Sequence, residues 1–290
     1  MTVFSLVTNV LLFTSLALVI GVVAARWWVI PPRRPDLRPG AARIGSAGAG
    51  VLLLALAMVL TRQVLEFRDP FVPWSDDLSL LLGTSWGTTW KGAVGLGAVL
   101  FGAFIRARGG SPIAWIVASA AALVLSAFPA LTGHASGGDL SGLTVPADIA
   151  HVLAVGCWVG TLAVVLLLER GRRRRSGASA AGVLPQLIPR FSPLAMASVA
   201  VLVLSGTVGM WAHLDGPSAV IETSYGRWLL LKLTLVAGVL VLGAINFRRL
   251  LPRLGEEAGA DAMRRSATRE VALAFVVLAV TAILVRTPPG

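Results

Sequence analysis

The chain has 290 residues, 56% of them hydrophobic and only 13% charged, with a formal net charge of +11. A soluble domain of that length needs far more polar surface, so the composition excludes one and indicates an integral membrane protein. The basic excess, 23 arginines and 2 lysines, gathers in alternate loops as membrane insertion requires, so no nucleic-acid partner is implied.

The apolar runs are about 20 residues long and unalternated, which suits helices rather than the short, period-two strands of a barrel. In chain order they lie near residues 3–25, 46–65, 86–105, 112–132, 147–168, 192–212, 228–248 and 269–286. Val22-Val-Ala-Ala25 resembles a signal-peptidase site. The stretch before it has no basic start and is long enough to span, so it reads as a membrane helix. The expected fold class is therefore an all-α membrane protein of eight transmembrane helices.

The first, third, fifth and seventh connections hold 19 of the arginines, from Arg26 to Arg43, Arg106 and Arg108, Arg170 to Arg190, and Arg248 to Arg269. These loops are expected to face the cytoplasm of an inner membrane. The other connections carry Glu66, Asp69, Asp76, Asp77, Asp139, Asp148, Asp215 and Glu222, and are expected outside together with both termini. The Arg172–Arg175 run reads as a topology determinant, and Ser176-Gly-Ala-Ser-Ala-Ala-Gly182 as a flexible linker.

Thr84-Ser-Trp-Gly87 and Thr223-Ser-Tyr-Gly226 recur 139 residues apart, each followed by one of the two lysines, Lys91 and Lys232. The repeat suggests two parallel four-helix halves, 1–135 and 136–290. Asp77–Leu82 and Ser218–Glu222 are expected to form short interfacial turns before each motif.

The three histidines, His134, His151 and His213, all fall at the expected outer boundary, where imidazole can bind a metal or carry a proton. His151 lies inside the fifth helix and shares a helix face with Asp148 and Trp158, so Asp148 is expected to orient the imidazole. His213 and Met210 stand three apart, and imidazole with thioether suits copper. Cys157 offers a deeper thiolate, although a lone buried cysteine is more often apolar filler. Lys91 and Lys232 read as structural cations, and Tyr225, Trp228, Trp86 and Trp90 as an aromatic belt. No nucleophile elbow or phosphate-cradling loop marks an enzyme.

Several stretches taken together resemble the CopD family of copper-resistance membrane proteins. They are Asp148-Ile-Ala-His151 with Trp158-Val-Gly160, Arg190-Phe-Ser-Pro-Leu-Ala195, Leu204-Ser-Gly206, Tyr225-Gly-Arg-Trp-Leu-Leu-Leu-Lys232, Asn246 with Arg248-Arg249, and Arg269-Glu270. The resemblance runs from about residue 125 to the C-terminus and is looser before it. It implies an inner-membrane protein of eight helices that moves copper, and it marks His151, Trp158, Tyr225, Gly226 and Lys232 as family positions, with His134 beside them. The chain departs from the family in Thr161, where a second glycine often follows Trp-x-Gly.

The expected function is copper uptake through an outer site of His134, His151, His213 and Met210, supported by Asp148, Trp158, Tyr225 and Lys232. Copper ion is the implied metal, and a separate extracytoplasmic chaperone would be its donor. A b-type haem electron-transfer protein, with His151 paired to His213 or His134, and a metal-free assembly subunit are the alternatives.

Overall fold

The first apolar segment folds into α1 (Val3–Val29). The structure, a computed structural model, describes residues 2–133, 140–176, 182–213 and 218–287. His134, Asp139, Asp215, most of the expected linker and the expected boundary between the halves lie outside the described residues, as does the side chain of His213. Among the described residues there is no strand.

Among the described residues seven further helices are long and apolar enough to span: α2 (Pro35–Glu66), α3 (Ser85–Ala107), α4 (Pro112–Thr132), α5 (Ser141–Arg175), α6 (Leu184–Ala212), α7 (Ser224–Arg253) and α8 (Glu257–Leu284). Each corresponds to one expected segment. The protein is thus an all-α, multi-pass membrane protein. The helices outrun the apolar runs because their polar ends stay helical beyond the hydrocarbon. α2 begins at Pro35, not near 46, since proline presets the first turn and the Gly/Ala-rich stretch after it packs closely. There Gly45 lies against the Phe104 ring and Gly48 against Leu18 and Val19.

α1 packs against α2, α4, α5 and α8, while α2–α3, α3–α4, α5–α6 and α7–α8 form neighbouring pairs. Its closest crossing is with α5. A Cβ on Gly160 would run into the Ala17 carbonyl, and one on Gly21 into the Gly160–Thr161 backbone. Two backbones approach this closely only where both residues are glycine. Thr161, fully buried, donates its hydroxyl to the Gly21 carbonyl at 3.3 Å. The residue that departs from the family pattern therefore ties the crossing together instead of obstructing it.

Both Thr-Ser-x-Gly motifs are helix caps. Thr84 accepts from the Gly87 amide at 3.1 Å and Thr223 from the Gly226 amide at 2.9 Å, each from an extended backbone. A short helix precedes each cap, Trp74–Gly83 and Ala219–Glu222.

Charged residues cluster at the two ends of the bundle. At the arginine-rich end, Asp36 pairs with Arg34 at 2.8 Å and Arg172 at 3.8 Å. Asp261 there meets Arg173 at 3.4 Å and Arg264 at 3.2 Å. Glu169, only 1% exposed, accepts from Arg173 and from the Val183 amide, both at 2.6 Å, and so joins the end of α5 to the start of α6. Two members of the Arg172–Arg175 run are thus built into the fold as well as setting its charge. At the opposite end Arg62 donates to Asn9 at 2.6 Å, Arg286 pairs with Glu66, and Arg68 pairs with Asp77 at 2.5 Å.

Candidate functional site

His151 lies in the third turn of α5, at the end of the bundle away from the arginines. Its Nδ1 is 3.0 Å from the Ser205 hydroxyl on α6. That hydroxyl lies 2.7 Å from the Val201 carbonyl one turn back on its own helix, a contact in which only the hydroxyl can donate. A hydroxyl has one proton, and here the carbonyl takes it. The imidazole must then donate from Nδ1, which leaves Nε2 with its lone pair free to receive a cation or a proton. Ser205 is buried and its helix position fixed by packing, so the orientation of the ring is set from α6.

Lys232, half-buried on α7, stands within electrostatic reach of both His151 and Asp148. Three helices thus bring together an imidazole, a carboxylate, a lysine and a serine. Asp148 opposes the lysine charge, and the acceptor of the His151 Nδ1–H is Ser205. That assignment differs from the sequence expectation, in which Asp148 oriented the ring; an i to i+3 spacing allows a contact but does not choose between partners on one helix and on the next.

The remaining expected residues are spread out. Trp158, seven residues or about 10 Å farther along α5, is buried, and its indole donates to Glu270 of α8 at 3.1 Å. Cys157 is half-buried beside it in the π-helical turn Gly156–Gly160. Tyr225 is half-buried in the first turn of α7, next to the buried Gly226. Met210 is 40% exposed near the end of α6, and Lys91 is exposed on α3. Among the described residues no group of three His, Cys, Asp or Glu stands close enough to hold a metal ion. His134 and the His213 imidazole lie outside the described residues, so the convergence of the three histidines stays an expectation.

Three side chains that the residue patterns did not single out matter here: Ser205, Asn246 and Glu270. Ser205 had a signal in Leu204-Ser-Gly206, but no periodicity tells which helix a serine serves. Glu270 stood in Arg269-Glu270, at the very start of the expected segment 269–286. In the structure α8 starts 13 residues earlier at Glu257, which sets Glu270 about 20 Å inside the helix.

Residues 185–284, from the start of α6 to the end of α8, match the family described as Copper resistance protein D, CopD. A curated protein of Bacillus subtilis (strain 168), Copper transport protein CutJ, is 31% identical over 159 residues. That alignment takes in 55% of this chain and 28% of the relative, so the chain spans less than a third of that protein. No solved structure matches. The matched stretch, residues 185–284, supplies Ser205, Lys232, Asn246 and Glu270 to the two polar clusters.

Proposed function

We propose that this protein moves copper across the cytoplasmic membrane and that His151 is the first ligand the ion meets. The observation that carries this reading is the Val201–Ser205–His151 hydrogen-bond chain, which leaves the imidazole Nε2 free at the end of the bundle opposite the arginines. A metal-binding histidine commonly has its other ring nitrogen held in this way. The family match and the name of the Bacillus relative support copper as the cargo.

In this reading the arginine-rich end faces the cytoplasm, and both termini and His151 face outward. Asp148 offsets the charge of Lys232, so an incoming cation meets an imidazole next to a balanced pair. His134, His213 and Met210 complete the ligand set, with imidazole and thioether donors suiting either copper oxidation state. Tyr225 and Trp158 line its approach and its inner side. A separate extracytoplasmic protein delivers the ion.

The test is copper bound by the purified chain and copper taken up by sealed vesicles, each compared with His151→Ala. Uptake abolished and bound copper reduced in the variant is the expected result. Uptake and binding equal to the parent would refute the site. A visible haem band that disappears in the variant would favour an electron-transfer protein instead.

A further inference from the structure

A second polar cluster is buried among three spanning helices, towards the arginine-rich end of α7 and α8, and is formed by one residue from each. Glu270 of α8 is 4% exposed and Asn246 of α7 is 8% exposed. One carboxyl oxygen accepts from the Trp158 indole at 3.1 Å, and the other lies 2.6 Å from the Asn246 amide. Both partners sit on π-helical turns, Gly156–Gly160 and Asn246–Leu250, which interrupt helices where side chains must be re-aimed.

Among the described residues no cation balances this carboxylate. Its interactions are with Asn246 and Trp158 alone. The charged and titratable groups on the surrounding helices are engaged or turned away. Lys232 on α7 works with Asp148, Arg248, Arg249 and Arg269 are exposed, Glu169 on α5 is held by Arg173, and Arg26 of α1 stacks 4.5 Å over Trp27. Cys157 is the other titratable side chain near Trp158. An uncompensated charge in hydrocarbon is costly, so the balancing cation has to be one that enters and leaves.

Two observations identify it. The Asn246 Oδ1 atom is buried with no hydrogen-bond partner. The 2.6 Å contact is shorter than the usual N–H···O range and falls within that of O–H···O. Turning the amide over satisfies both facts in a single move. A carboxyl O–H on Glu270 then donates to the amide oxygen, while in the other setting the amide N–H donates to a carboxylate. The pair has one arrangement for each charge of Glu270. The donors that meet at this point, the Glu270 carboxyl and the Asn246 amide, offer hard oxygens, which soft Cu(I) disfavours.

We propose that Glu270, read out by Asn246 and Trp158, is an exchangeable proton site inside the membrane, and that its proton is coupled to passage of the metal. The coupling rests on the copper-movement reading; the proton site does not. The full chain in lipid vesicles is treated with dicyclohexylcarbodiimide, an apolar reagent that adds only to protonated carboxyls, and the adduct is mapped by mass spectrometry. The expected adduct is on Glu270 and falls about tenfold per pH unit above its midpoint. No adduct, an adduct indifferent to pH, or protection by sodium at constant pH would overturn the proton site. Glu270→Gln keeps the hydrogen bonds without the exchangeable proton. It is expected to bind copper as the parent does, yet to take it up at a rate that no longer responds to an imposed pH gradient. A gradient response equal to the parent's would overturn the coupling, and so would a parent that moves copper without any gradient response. A parent that moves no copper at all would refute the transport reading, and the coupling with it, while the carbodiimide result still decides the proton site.

Discussion

Which nitrogen of a histidine can receive a cation depends on what holds the other, and for His151 that group is a serine on another helix. The hydrogen bond to Ser205 at 3.0 Å and the onward contact to Val201 at 2.7 Å leave one tautomer. Ser205→Ala removes the acceptor for Nδ1–H and frees the ring to rotate or change tautomer. Copper affinity measured against a competing chelator is then expected to fall roughly tenfold, with Ser205→Thr restoring most of it. An unchanged affinity in the alanine variant would remove serine from the site. The histidine itself was legible from its residue type and position. Its partner was not, because Ser205 looks like any small residue in an apolar run until α5 and α6 are placed side by side.

At the scale of elements, glycine decides how the central helix meets the candidate site. The Gly21–Gly160 crossing brings α1 against α5 at the last residue of the π-helical turn that carries Cys157 and Trp158. Gly160→Ala puts a methyl group against the Ala17 carbonyl, a backbone atom that cannot rotate away. A cost of about 1–3 kcal/mol is expected from such overpacking. Thr161→Ala loses only its bond to the Gly21 carbonyl, about 0.6 kcal/mol within a membrane. Thermal unfolding in detergent should rank the two variants in that order, and equal midpoints would mean that the helices do not touch there. The Trp158-Val-Gly160-Thr161 stretch was visible as a motif, and only the crossing explains why its small residue and its hydroxyl stand where they do.

For the whole molecule, alternating charge and the pairing of ends describe the same axis. Asp36 and Asp261 gather arginines from three segments at one end, while Arg62, Glu66, Arg286 and Asn9 knit α1, α2 and α8 at the other. If the arginine-rich end is cytoplasmic, a cysteine at Asp76 in a chain lacking Cys157 should react with an impermeant maleimide in intact cells. One at Arg108 should react only after the membrane is opened. The reverse pattern would turn His151 inward and with it the proposed direction of copper movement.

The eight helices, their order and their charge asymmetry were determined by the sequence alone, because hydrocarbon thickness demands long apolar runs and insertion demands flanking arginines. These are local constraints, satisfied segment by segment. Only the tertiary structure decided that Ser205 serves His151, that Lys232 stands near Asp148 and His151, and that Trp158, Asn246 and Glu270 share one buried cluster. The hydrogen-bonded partners are 24 to 112 positions apart, on helices whose rotation and neighbours are chosen by packing. No spacing along a single helix encodes that choice.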